Sequence, residues 1–251
     1  VSALIEIDHL TRRFGGLLAV DDVSTAVAPG ELVGLIGPNG AGKTTLFNLI
    51  SGFTPPTSGT VRFKGEAIRG LKPHQIAGRG LSRTFQNLRI FPNMSVFDNV
   101  SVGAVGAMGQ SALGAVFGGR RRSDAITART FEALERVGLT AQAHELAANL
   151  SYGRRKYLEI ARALAMKPDL LILDEPAAGL DDSETAELAR FIRTLNGEGL
   201  AIMLVEHDMN LVMGICSRVV VLASGRKIAD AAPAEVRADP AVLEAYLGVE
   251  A

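Results

Sequence analysis

Apolar and polar residues alternate over Ala3 to Ile7 and again over Val23 to Ala28, with Phe14-Gly15-Gly16 between them. That period of two predicts antiparallel strands with one buried face. Pro29-Gly30 turns the chain, and the pattern then changes. Glu31 to Ile36 is a compact, largely apolar run, Gly37 to Gly42 is glycine-rich, and helical spacing follows from Lys43 to Ile50, which reads as strand, loop, helix. Pro55-Pro56-Thr57-Ser58-Gly59 carries turn chemistry before a strand at Thr60 to Lys64. Beyond Gln86, helical spacing and Gly/Ala-rich linkage continue to about Ala165, predicting a helical insert at approximately 87–165. Leu170 to Leu173, Ala201 to Val205 and Val219 to Leu222 are unbroken apolar runs beside helical patterns, as buried parallel strands with crossover helices require. The pattern predicts an α/β fold of mainly parallel sheet, with an antiparallel β subdomain and an inserted α-helical subdomain.

Composition narrows this. A chain of 251 residues suits one large domain carrying a subdomain, here residues 1–251 as a unit. With 47% hydrophobic and 21% charged residues it is neither disordered nor collagen-like. Lys plus Arg is 26 against 27 for Asp plus Glu, so no basic footprint for nucleic acid covers the surface. Arg120-Arg121-Arg122 reads as a solvated helix lead-in. The single cysteine, Cys216, cannot form an internal disulfide, and no charged-then-apolar leader opens at Val1, so a cytoplasmic protein is expected. Asn99 to Gly119 is uncharged and long enough to span a bilayer. Its glycines make it only weakly apolar, and it reads as a helix end running into a loop. Any meeting with a membrane is expected to go through a partner.

Gly37-Pro38-Asn39-Gly40-Ala41-Gly42-Lys43-Thr44 fits the Walker A pattern, after an apolar strand and at the head of a helix. Glycines let backbone N–H groups close around phosphate oxygens, and the helix N-terminus adds a favourable dipole. Lys43 is expected on the β and γ phosphates and Thr44 on Mg²⁺, with Thr45 completing the nucleotide-binding set. Leu170 to Pro176 places Asp174 and Glu175 after four apolar residues, the form of a Walker B strand. Asp174 then belongs to the Mg²⁺ shell and Glu175 polarises the attacking water. Paired acids at a strand end could instead be a capping turn, a reading that the Walker A loop outweighs. Ser151 is an N-cap candidate for the helix Arg154 to Ala165, whose leading Arg154 and Arg155 oppose the helix dipole and favour a nearby anion. His207 follows an apolar run between Glu206 and Asp208, equally compatible with a packed side chain and a functional one. His9, His74, His144 and Cys216 read as structural.

Walker A, Thr84-Phe85-Gln86, Leu150-Ser151-Tyr152-Gly153, Walker B, Gly179-Leu180-Asp181 and Glu206-His207-Asp208 occur in an order that resembles the ATP-binding-cassette (ABC) ATPases. The resemblance implies a P-loop NTPase core that binds ATP and Mg²⁺. It implies that Phe14 stacks on adenine beside Val20, that Gln86 reaches toward Mg²⁺ and a membrane subunit, and that His207 holds the γ-phosphate and water. Ser151, Tyr152 and Gly153 look like the signature motif, which contacts ATP held by a second subunit in a head-to-tail dimer; Asp181 joins that set. Phe85-Gln86-Asn87-Leu88-Arg89-Ile90-Phe91, Asp174 to Leu180, Glu206 to Met213 and Ala245-Tyr246-Leu247-Gly248 narrow the resemblance to ATPase subunits of branched-chain (hydrophobic) amino acid importers. Two positions depart from that pattern: Arg154 stands where Gln is usual, and Asp182 where Pro is common.

What this implies is a peripheral ATP-hydrolysing motor at the cytoplasmic face of the cell membrane. Its partners would be permease subunits, a second ATPase subunit that is a copy or a paralogue and, indirectly, an extracytoplasmic binding protein, with no nucleic acid. Leu88, Ile90, Phe91, Met94, Val96 and Phe97 are expected mostly in the insert's own core, with part of the stripe lining a permease-docking groove. The sibling reading is the ATPase of a lipopolysaccharide exporter. A soluble ABC protein would carry tandem cassettes or a coiled-coil insert, and a P-loop kinase would have no use for Ser151 to Gly153.

Overall fold

The structure, a computed structural model, describes residues 2–108 and 119–247. The uncharged stretch read as helix running into loop is therefore described only to Met108 before Gly119, and Gly248 of the tail motif also lies outside the described residues.

Strands β1 (Ile5–Phe14), β2 (Leu17–Val27), β4 (Ser58–Phe63) and β5 (Glu66–Ala67) form an antiparallel sheet in the order β2-β1-β4-β5. β1 and β2 are longer than the alternation predicts. Three register shifts interrupt their pairing, and His9 (φ 47°) and Asp22 (φ 56°) take left-handed backbone, so the period of two breaks while the ladder continues.

A second sheet runs β10-β9-β3-β8-β7-β6, built from β3 (Leu32–Ile36), β6 (Leu81–Arg83), β7 (Leu170–Asp174), β8 (Ala201–Val205), β9 (Arg218–Ala223) and β10 (Arg226–Ala231). The pairings β3 to β8, β3 to β9, β7 to β8 and β6 to β7 are parallel, and β10 closes the edge antiparallel. Every residue of β3, β7 and β8 is buried, the reason those segments read as unbroken apolar runs.

Helix α1 (Lys43–Ile50) leaves β3 through the glycine-rich loop, and the short α2 (Pro73–Ala77) precedes β6. Across the predicted insert lie α3 (Val96–Ala107), α4 (Gly119–Arg136) and α5 (Tyr152–Leu164), packed on one another. Ser95 caps α3 by accepting the Asp98 N–H, and buried Asn99 closes the preceding loop onto Phe91 O. Val96 is fully buried and Phe97 meets Phe131 at 5.3 Å between ring centroids, whereas Phe91 is exposed. Helices α6 (Asp182–Gly197), α7 (Met209–Ile215), α8 (Pro233–Ala238) and α9 (Pro240–Leu247) complete the chain. One core joins the antiparallel sheet, α1 and one face of the second sheet; the other joins the remaining face to the later helices. Among the described residues no helix is long and apolar enough to cross a membrane.

Candidate active site

The loop from β3 to α1 is shaped by close approach. Gly37 (φ 151°) lies against the Leu222 carbonyl and Gly42 (φ 101°) against the Ala19 carbonyl, each so near that a methyl group would overlap the oxygen. The loop thus wraps the Lys43 ammonium, which donates to Gly37 O at 2.6 Å and Pro38 O at 3.0 Å. Burial lowers the Lys43 pKa, opposed by the charges of Glu175 and Asp174. Its hydrogen-bonded partners are neutral carbonyls, so the loop keeps a positive centre at the head of helix α1, the chemistry that takes a polyphosphate.

Asn39, Gly40, Ala41, Gly42, Lys43, Thr44 and Thr45 line a cavity of about 640 Å³ together with Gln86, Glu175 and His207. Residues from three further elements thus converge on the loop. Glu175 holds left-handed backbone (φ 50°) with its N–H on Val205 O at 2.9 Å, which turns the side chain from the end of β7 into the cavity. Its Oε2 accepts from Gln86 Nε2 at 2.8 Å and its Oε1 lies 2.7 Å from His207 Nε2. The geometry removes the ambiguity over His207: it faces the acid, not the core. Glu206, next to it, turns inward, accepting from Ala177 N at 2.6 Å and His207 N at 3.2 Å, and burial raises its pKa.

Asp174 sits deeper, 4% exposed, with Oδ2 accepting from Arg83 Nη2 at 2.8 Å. Arg83 also donates to Asn48 Oδ1 at 2.9 Å and Ser51 Oγ at 3.1 Å, and lies 5.6, 6.0 and 5.3 Å from the ring centroids of Phe47, Phe53 and Phe85. Sequence reasoning missed this arginine, since a lone cation before Thr84-Phe85-Gln86 signals nothing until its carboxylate partner is seen 91 positions away.

Other expected site residues lie elsewhere. Val20 is fully buried in the core, a correction to its expected place beside the base: on β2 it is Leu17, Leu18 and Ala19 that line the cavity. Phe14 is exposed at the end of β1 and is not among the lining residues, with the Arg12 guanidinium 4.4 Å from its ring centroid. Ser151 caps α5, accepting from Arg154 N, and lines a separate cavity of about 280 Å³ with Gly153, Leu180 and Glu184. Arg154, next to which an anion was expected, donates to Gly138 O, and Arg155 donates to Leu150 O and Ala148 O. Asp181 caps α6 in a reciprocal pair with Glu184. Tyr152 donates to Ala178 O at 3.2 Å.

A phosphate-binding loop facing an acid held by an amide and an imidazole, on this two-sheet frame, defines a nucleotide-hydrolysing P-loop enzyme. Comparison with known proteins agrees. The ABC transporter family matches over residues 20–178, and the branched-chain amino acid ATP-binding cassette transporter family over residues 226–251. The chain is 44% identical, over 98% of both sequences, to the high-affinity branched-chain amino acid transport ATP-binding protein LivG of Escherichia coli. It is 33% identical, again over 98% of both, to the lipopolysaccharide export system ATP-binding protein LptB of the same organism. The ADP conformation of MJ1267, an ATP-binding cassette of an ABC transporter, superposes with a TM-score of 0.87 at 30% identity, covering 99% of this chain and 100% of that one. The chain belongs to the ABC transporter family and is an ATP-binding, ATP-hydrolysing subunit.

Proposed function

We propose that this subunit powers import of branched-chain or other hydrophobic amino acids, working at the cytoplasmic face of the cell membrane on partner permeases. The observation that carries this reading is the end-to-end similarity to LivG, reinforced by the match of the tail to the branched-chain family. The whole chain acts as one ATPase domain, with residues 87–165 as its helical subdomain.

In this reading the Gly37–Thr45 loop holds the ATP phosphates, with Lys43 as their cation. Thr44 is exposed in the cavity and Asp174 keeps Oδ1 beside the Arg83 bond, oxygen donors that suit a hard divalent ion; with Gln86 they would hold Mg²⁺. When bound, Mg²⁺ neutralises phosphate charge and aligns the terminal phosphate for attack. Glu175 accepts the proton of the attacking water, and Gln86 and His207, one on each carboxylate oxygen, aim it. Phe14 offers the ring face away from Arg12 to the base. Ser151, Tyr152, Gly153 and Asp181 face ATP held by a second ATPase subunit. The permease docks in the groove of about 390 Å³ lined by Phe53, Phe85, Arg89 and Phe91. An extracytoplasmic binding protein selects the cargo.

Similarity to LptB supports a second reading, lipopolysaccharide export. Deleting the chain and measuring uptake of radiolabelled leucine decides between them. Import requires uptake to fall and to return with the wild-type chain; normal uptake with blocked lipopolysaccharide transport would transfer the chain to export.

A further inference from the structure

Two residues one helical turn apart on α5, Tyr152 and Lys156, grip the segment that follows β7. The Lys156 ammonium is buried, 3% exposed, and donates to the main-chain carbonyl of Glu175 at 3.3 Å. Among the described residues no carboxylate lies within ion-pair distance of it, so its hydrogen-bonded partner is that carbonyl. The Tyr152 ring lies 5.6 Å above the same ammonium, its hydroxyl donates to Ala178 O at 3.2 Å, and its edge packs against Gly179 so closely that a methyl there would meet Cε1 at 2.9 Å. Between these contacts Glu175 keeps its left-handed backbone, a conformation unfavourable for a side chain with a Cβ. Val205 O fixes Glu175 from the N–H side, and Lys156 fixes it from the carbonyl side.

We propose that Lys156, supported by Tyr152, is a positioning residue for Glu175: it holds the peptide that aims the carboxylate and ties the acid to the helix that begins at Ser151. Burying an ammonium is costly; the Tyr152 ring face and the charge of buried Glu159 offset part of that cost, and its hydrogen bond goes to the peptide that sets the base. The inference rests on the reading of Glu175 as the base. A shift of the Ser151 end of α5 is then transmitted to the same chain's acid through two side chains.

Steady-state ATPase kinetics and binding of a fluorescent ATP analogue to the full chain test it. Lys156→Met is expected to lower kcat by about tenfold or more, since small misplacements of a reacting group are expensive, while KM and analogue affinity hold. Lys156→Gln recovers part of the loss because its amide can donate to the same carbonyl. In a Glu175→Gln background Lys156→Met costs nothing further, because Lys156 acts through Glu175. An unchanged kcat in folded Lys156→Met, or a multiplicative loss in the double variant, would overturn the proposal. If Lys156→Met does not fold, Tyr152→Phe, which deletes only the hydroxyl bond to Ala178, decides: a lowered kcat at constant KM with unchanged ATP-dependent dimerisation supports the clamp, and an unchanged kcat, or a loss that comes with weakened dimerisation, refutes it. Normal turnover in Glu175→Gln alone would instead remove the reading of Glu175 as base.

Discussion

Arg83→Met should destabilise the fold through one carboxylate. Arg83 and Asp174 are each 4% exposed and bonded at 2.8 Å, so deleting the guanidinium strands a charge that water barely reaches. Breaking a buried pair from one side costs about 3–5 kcal/mol, which for a chain of this length lowers Tm by roughly 6–20 °C. Methionine fills much of the space among Phe47, Phe53 and Phe85, so cavity formation adds little. The discriminating assay is thermal unfolding of the single variant, of Asp174→Asn, and of the two together. Arg83→Met/Asp174→Asn should recover at least half of the loss seen with Arg83→Met, because it no longer buries an unpaired charge. A loss below about 1 kcal/mol in Arg83→Met, or strict additivity in the double variant, would refute the claim that the pair is a buried, coupled unit.

Gly37→Ala should abolish nucleotide binding in calorimetry, since its methyl meets the Leu222 carbonyl and the loop must open to admit it; unchanged affinity would show that the loop is not held by that approach. Phe14→Ala should raise the KM for ATP more than it lowers kcat, because stacking is a binding contribution, and a normal KM would make Phe14 a bystander. Burial pushes the Cys216 thiol up to about 12, so at pH 8, well below that value, it stays neutral and should react with a thiol reagent only on unfolding; rapid labelling of native protein would contradict its placement. Phe91→Asp should lower leucine uptake and permease co-purification while sparing ATP binding by the isolated subunit, and intact uptake would move the docking groove elsewhere.

The central strands and the phosphate loop were legible because burial on both faces writes an unbroken apolar run, and because the glycines at 37 and 42 answer close backbone approaches that other side chains would block. β6 and β10 were not legible. β6 has three residues and β10 is a half-exposed edge, so neither carries enough period to stand out. In the site, Lys43, Gln86, Glu175 and His207 were found by motif order and meet in one cavity. Val20 came from the resemblance alone, and on β2 it is fully buried while the three residues before it, Leu17, Leu18 and Ala19, line the cavity. Arg154 and Arg155 have acceptors that the dipole argument leaves out, the carbonyl of Gly138, 16 positions before Arg154, and those of Leu150 and Ala148 just ahead of the helix. Arg83 and Lys156 were invisible for a common reason: each gains its meaning from a partner distant in sequence, Asp174 for one and the Glu175 carbonyl for the other.

Comparing ATP retention and ATP hydrolysis in purified Glu175→Gln against wild type tests the catalytic account most directly. Removing the carboxylate while leaving the Gly37–Thr45 loop, Lys43 and Asp174 in place should preserve nucleotide binding and lower turnover by about 10²–10⁴-fold. Wild-type turnover in that variant would contradict the account, because the acid joined to Gln86 and His207 could not then be the group that takes the proton from water.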